Sequence, residues 1–399
     1  MSRTNPVSNR QWSPQPVIDW MFGAGRQIDD TTDFVLQFAH KMCACGAPVD
    51  RLLITFQTLN PQIAATSNLW TRDDDSIQRY DAEWRIRETD RYIGSPMQQL
   101  FETEKRVRQR LDRLPENAHG AYTELAADGY IDYLALPIMF TSGFGSALIL
   151  STKNPQGFSN LDIEAFRLIR LYLSPIIEVH SLKHMAQSLL NTYVGKRTGE
   201  KVLAGMIQRG DADVINAALW FSDLRDFTQL TETLPAKQVL RMLNDYFEFI
   251  SAAVTARGGE ILRFIGDAML IVFPIDDNMC AKTACNAAID AAIDAHSTLA
   301  SLNHQRRRHG EPEIRFGVGL NVGEVVYGNV GAPDRLDFTV MGPVVNRTAR
   351  LESLTKTLGC DILFSQQFAE LIDTPSQSLG LHEMKGIAEP QAVYAVCEI

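Results

Sequence analysis

Six segments in the C-terminal half alternate in hydrophobic period, and their order leaves few folds open. Ala217–Phe221 is an apolar run, the pattern of a strand buried on both faces. From Ala236 to Ala256, Val239, Leu240, Leu243, Phe247, Ile250 and Val254 fall on one helical face, and Gly258-Gly259 ends that helix. Glu260–Ile265 and Ala268–Phe273 read as two strands joined by a tight turn at Gly266-Asp267. An Ala-rich helix over Asn278–Asn303 and a strand over Arg315–Leu320 complete the order β-α-β-β-α-β, the ferredoxin-like split unit. Beyond it the pattern predicts a hairpin at Val325–Val330, a strand at Phe338–Met341, a helix at Val344–Thr357 and short closing elements through Val396.

That order brings two carboxylates together. Asp223 ends the first strand and Asp267 sits at the tip of the central hairpin, and in this topology strand and hairpin lie side by side. A carboxylate pair with few other ligands suits Mg²⁺, which keeps waters and takes phosphate oxygens. Taken alone, the pair also fits two ordinary turn aspartates. After Asp223, the stretch Asp226-Phe227-Thr228 precedes a helix, whose first N–H groups are free to bind phosphate. Asn346 and Arg350, four apart, share a helix face. Asn can fix a hydroxyl, and Arg can neutralise charge on a phosphorus centre. A solvated face with an Arg350–Glu352 pair reads equally well. Thr339, seven residues before Asn346, can hydrogen-bond a base edge or simply occupy a strand it favours.

Charge narrows the partners. With 38 Lys+Arg against 48 Asp+Glu the net charge is −10, which argues against sequence-independent nucleic-acid binding. Met1–Pro16 lacks the apolar core of a signal peptide, and the most apolar window, Tyr133–Leu150, is broken by Pro137, Gly143 and Gly145, so no membrane span is expected. The six Cys form no CxxC pair and read as buried small residues of a reducing compartment, which predicts a cytoplasmic protein.

Three stretches resemble a known family. Phe221-Ser222-Asp223-Leu224-Arg225-Asp226-Phe227-Thr228 resembles the first metal motif of class III nucleotidyl cyclases. Gly258-Gly259-Glu260-Ile261-Leu262-Arg263-Phe264-Ile265-Gly266-Asp267-Ala268 resembles the second. Phe338-Thr339-Val340-Met341-Gly342-Pro343-Val344-Val345-Asn346-Arg347-Thr348-Ala349-Arg350-Leu351-Glu352 resembles the substrate and transition-state motif. The resemblance covers about residues 212 to 397 and implies two divalent ions, Mg²⁺ or Mn²⁺, held by Asp223 and Asp267. It implies that Asn346 orients the ribose, Arg350 stabilises the pentavalent phosphorus and Lys385 binds nucleotide phosphates, with Phe227 and Thr228 beside them. Arg263 and Thr339 occupy the base-reading positions. Thr339 fits the bacterial Thr-containing subgroup, Arg263 replaces the usual lysine, and the guanylyl pair of Glu and Cys is absent. ATP is the implied substrate. Asp226 stands where the motif commonly has Gly. The family shares its sites across a homodimer, with the metal aspartates from one protomer and Arg263, Thr339, Asn346 and Arg350 from the other.

The N-terminal half resembles a GAF-type sensor through Leu134–Pro137, Gly145–Ser151 and Gly157-Phe158-Ser159-Asn160-Leu161-Asp162, with no residue that announces its ligand. A helix beginning near Asn160 carries Leu168, Tyr172, Val179, Leu182, Ala186, Leu189 and Tyr193 on a heptad seam, with Pro175 expected to kink it. The seam fits a two-helix connector between protomers, or a single helix packed on its own domain. His180 and His184 on that helix have metal-binding spacing, and solvated linker histidines are the commoner meaning. The expected organisation is a flexible lead-in at 1–28, a GAF-like α/β sensor at 29–163, a connecting helix and hinge at 164–211, and an α+β cyclase domain at 212–399. The expected activity is ATP to 3′,5′-cyclic AMP and pyrophosphate by two-metal in-line attack. A diguanylate cyclase shares only Gly258-Gly259-Glu260, and a catalytically weak nucleotide-binding regulator is the alternative that Arg263 and Asp226 keep open.

Overall fold

The structure, a computed structural model, describes residues 12–397. They divide into two compact units, one ending at Leu189 and one beginning at Leu190, a boundary inside a helix.

The first unit contains α1 (Gln15–Phe22), α2 (Thr31–Ala44), β1 (Arg51–Gln57), β2 (Ile63–Thr71), β3 (Ile77–Glu83), α3 (Pro96–Thr103), β4 (Val107–Arg110), α4 (Gly120–Ala127), β5 (Asp132–Phe140), β6 (Gly143–Thr152) and α5 (Asn160–Val194). Its sheet has the order β3-β2-β1-β6-β5-β4 with antiparallel neighbours. Successive strand residues face opposite ways. Leu52, Ile54 and Phe56 therefore meet Phe34 and Phe38 of α2 and Phe166 and Ile169 of α5, whereas Leu53 meets Leu100, Tyr133 and Ile149 on the other face.

Three expectations for this half are corrected. The described part of the 1–28 lead-in is packed, because Val17, Ile18 and Met21 of α1 are buried in the core against α2 and α5; residues 1–11 lie outside the described residues. The charged sequence of 71–116 predicts a long loop followed by an amphipathic helix near Ser95–Leu111, and the structure departs from this. That stretch holds β3, α3 and β4, and β3 went unseen because it is an edge strand with both faces largely in water. Ser95 caps α3 by accepting from the Gln98 amide, and Glu104, at φ 53°, ends it early. His180 and His184 are not solvated linker residues: both face the Thr31 hydroxyl, at 3.3 and 2.6 Å, and no metal-binding group of three ligands occurs among the described residues.

Helix α5 passes through Pro175 without a break. Ile169, Leu173, Ile176 and Ile177 are buried on its own unit, but the heptad seam is a second, exposed face: Val179 is 57% exposed, Leu182 59% and Tyr193 80%. Packing on its own domain therefore accounts for a different face from the seam.

The second unit contains α6 (Lys196–Leu203), β7 (Ala212–Leu224), α7 (Phe227–Thr233), α8 (Ala236–Thr255), β8 (Glu260–Ile265), β9 (Ala268–Ile275), α9 (Ala281–Arg308), β10 (Phe316–Ala332), β11 (Arg335–Met341), α10 (Pro343–Leu358), β12 (Ile362–Ser365), α11 (Gln366–Ala369), β13 (Ser376–His382) and β14 (Gln391–Val396). The sheet order is β13-β14-β12-β10-β7-β9-β8, with β11 on β10. Its heart, β10-β7-β9-β8, is antiparallel throughout and carries the β-α-β-β-α-β connection. Helices α8 and α9 bury one face around Trp220, Tyr246 and Ile289, and α10 packs on the other.

Two expectations are corrected here. Gly195–Gly210 is not simply a hinge, since α6 docks on the sheet: Thr198 is buried with its hydroxyl 2.7 Å from that of Tyr327, and Lys201 pairs with Asp213. The hairpin at Val325–Val330 does not form by itself, because β10 runs unbroken to Ala332 and turns into β11. Gly328 marks a close approach, since a Cβ there would lie 2.2 Å from the Asp211 carbonyl oxygen.

Candidate active site

Alternation along β7 sends Ala218, Trp220 and Ser222 towards α8 and α9, and Asp223 to the opposite face, the side of α10. Ser222 accepts a hydrogen bond from the Tyr246 hydroxyl at 3.1 Å, which anchors the strand end behind Asp223. Gly266, at φ 66°, makes the β8–β9 turn and delivers Asp267 to the same place. The two carboxyl groups are within hydrogen-bonding reach. Burial first, and then Asp223, push the Asp267 carboxyl up to about 6. Two acids that resist joint ionisation in this way are suited to a divalent cation, which reverses the repulsion.

A third carboxylate lies nearby. Asp223 pairs in register with Gly317 of β10, and α10 packs onto that glycine so closely that a Cβ would sit 2.3 Å from Thr355 Oγ1 and 3.0 Å from Glu352 Oε1. Glu352 is 3% exposed, its Oε1 has no partner, and burial followed by the charge of Asp223 raises its carboxyl to about 7. The expected surface pair of Glu352 with Arg350 does not form: Glu352 belongs to the inner face of α10 with Val344, Thr348, Leu351 and Thr355.

Asn346 and Arg350 are exposed on the outer side of α10. Lys385, also exposed, follows buried Met384 in the loop between β13 and β14. Among the described residues, no hydrogen bond or ion pair links Asn346, Arg350 or Lys385 to the two aspartates. Arg263 of β8 pairs with Asp337 of β11 at 2.5 Å, and Thr339 is two residues further along the same face of β11.

Beyond Asp223 the chain turns sharply. Asp226 adopts the left-handed conformation, φ 59°, which explains the preference for glycine at this place. Its carboxylate makes no cap to α7 and instead accepts from Arg315 at 2.9 Å, so it leaves the first amides of α7, at Phe227 and Thr228, without a side-chain acceptor. Phe227 also packs against the core under α8.

Sequence reasoning missed Asp337 and misread Glu352. The signals were present in both cases: Asp337 and Thr339 alternate on a strand, and Glu352 continues the helical spacing of Val344, Thr348 and Leu351.

A split β-α-β-β-α-β sheet with paired carboxylates at one end of its central strands and an Asn/Arg helix beside it defines a nucleotidyl cyclase catalytic domain. Residues 212–396 match the adenylate and guanylate cyclase catalytic domain, so this part of the chain is a class III nucleotidyl cyclase domain. The chain is 35% identical over 199 residues to an adenylate cyclase of Anabaena cylindrica, covering 48% of this chain and 38% of that one. It is 37% identical over 147 residues to adenylate cyclase 1 of Rhizobium meliloti, covering 36% and 22%. A crystal structure of an adenylyl cyclase from P. aeruginosa is 30% identical, covers 47% of this chain and 96% of that one, and superposes with a TM-score of 0.44. The chain thus spans well under half the length of these two curated relatives. No described helix is long and apolar enough to cross a membrane.

Proposed function

We propose that the chain is an adenylate cyclase that converts ATP to 3′,5′-cyclic AMP and pyrophosphate in a homodimer with shared sites. The observation that carries this is the Asp223–Asp267 contact, in which burial and then the Asp223 carboxylate push Asp267 up to about 6. Asp223 and Asp267 would hold the divalent ions, Mg²⁺ or Mn²⁺, which when bound neutralise the triphosphate and acidify the ribose hydroxyl. Arg263 donates to the purine edge from a position held by Asp337, and Thr339 reads the exocyclic amine. Asn346 orients the ribose so that its 3′-oxygen faces the α-phosphorus in line with the departing pyrophosphate. Arg350 stabilises the charge that develops on the phosphoryl oxygens as the new O–P bond forms and the bridging P–O bond breaks. Lys385 and the amides of Phe227 and Thr228 hold the phosphates.

The exposure of Asn346, Arg350 and Lys385, with no link to the aspartates of their own protomer, supports a site completed by a second copy. The exposed seam of α5 supports a helical connector between copies, following a sensor domain of GAF-like type in the sequence. A weakly active nucleotide-binding regulator is the second reading, favoured by the Arg263–Asp337 pair that engages the base-reading cation. Turnover with ATP and GTP, in Mg²⁺ and in Mn²⁺, separates the two. Cyclic AMP from the native chain, none from Asp267→Ala or Asn346→Ala alone, and recovery when the two variants are mixed are expected. Nucleotide binding with no product from any mixture would leave the regulator.

A further inference from the structure

A cavity of about 560 Å³ in the N-terminal unit lies between the open face of its sheet and the helices α3 and α4. That is the size of a pocket for a small organic molecule. Its floor carries Arg51, Leu53 and Thr55, alternate residues of β1, and Tyr130 and Tyr133 stand against it. Arg51 is mostly buried, and among the described residues its guanidinium makes no hydrogen bond and no ion pair. Burial lowers its pKa, and the groups that offset this are Tyr133, Tyr130 and Tyr80, then Asp128, none of which pairs with it. The hydroxyls of Tyr130 and Tyr133, residues 6% and 3% exposed, also have no described partner.

Buried polar groups are ordinarily satisfied, and an unpaired buried cation is unfavourable. Here the Arg51 guanidinium and the phenols of Tyr130 and Tyr133 share a single hollow with two further arginines, Arg87 and Arg91, and with the apolar Leu53, Met97 and Leu125. By contrast, Arg108 binds Asp132 at 2.7 Å and Arg72 binds Asp50 at 2.7 Å. The geometry points to a binding site for a small organic anion, with a carboxylate or phosphate on Arg51 and the two phenols and a ring-sized apolar body between the sheet and α3. Guanidinium pairs with both anions in the same forked manner, so the shared chemistry is a planar or tetrahedral oxyanion on an apolar frame.

The test is calorimetric titration of the full chain with 2-naphthoate, its uncharged amide, and 2-naphthyl phosphate. The carboxylate or the phosphate is expected to bind at least tenfold more tightly than the amide, and whichever binds better names the source. In Arg51→Met, which keeps the stem and removes the charge, that preference should vanish. The ligand-free variant should melt no lower than the native chain, since no ion pair is lost, and this also verifies its fold. Equal binding of acid and amide to the native chain, no binding of any of the three at millimolar concentration, or an unchanged preference in Arg51→Met would overturn the assignment. Cyclase turnover has no part in these readouts, so the result stands apart from the proposed activity.

Discussion

Glu352 shows how much one side chain's surroundings decide. Its carboxyl rises from 4.5 to about 7, chiefly by burial and then by the charge of Asp223. An acid with a higher pKa folded than unfolded holds its proton more tightly in the fold. The cation-free chain therefore loses stability as pH rises from about 4.5 to about 7, and the loss is complete above that. Glu352→Gln carries no charge at any pH. Urea unfolding should find it more stable than the native chain by about 3 kcal/mol at pH 8 and equal to it near pH 4; a difference that is constant across this range would refute the assignment. Asp337 makes a different kind of contribution, since it holds Arg263 from β11. Asp337→Ala should raise KM for ATP several-fold and narrow the preference for ATP over GTP while leaving kcat within about threefold, because a positioning contact acts on binding more than on the chemical step. Steady-state kinetics with both nucleotides decides it.

Among the elements, the junction of α5 and α6 has little freedom. Gly195 lies there at φ 89°, and a Cβ would stand 2.5 Å from Glu260 Oε1, the acceptor of the Arg197 amide at 3.0 Å. Gly195→Ala combines a left-handed alanine with a clash against that carboxylate. It should destabilise the C-terminal unit by about 1–3 kcal/mol, read as a lower urea midpoint with an unchanged slope; a midpoint equal to the native one would mean that the junction relaxes freely. The Ala217–Leu320 elements were legible because each buries an apolar face with its own period. The edge strand β3, the helix α6 and the unbroken β10 were not, since β3 has little buried surface and the glycines of the other two mark close contacts as well as turns.

For the molecule as a whole, the open question is what covers the seam of α5. Leu182→Glu with Leu189→Glu places charge on its exposed apolar face without touching the helix's buried one. Sedimentation should show a shift from dimer to monomer, and cyclic AMP production at submicromolar protein should fall more than tenfold and recover as concentration rises. A variant that remains dimeric and fully active would assign dimerisation to the catalytic units alone.

The period of the apolar residues and three local motifs were enough to specify the β-α-β-β-α-β order and the positions of Asp223, Asp267, Thr339, Asn346 and Arg350, because strands, helices and turns are short-range arrangements that neighbouring residues dictate. Which charges are buried, and beside what, belonged to the tertiary structure alone. Glu352 faces inward because two glycines of β10 let α10 approach, Arg263 meets Asp337 because β8 and β11, paired to different strands, pack near one another, and Arg51 lies unpaired because a sheet face and two helices close over it. Each of these depends on residues distant in sequence. Electrostatic energy is set by such three-dimensional neighbours and by the exclusion of water, neither of which a linear pattern contains.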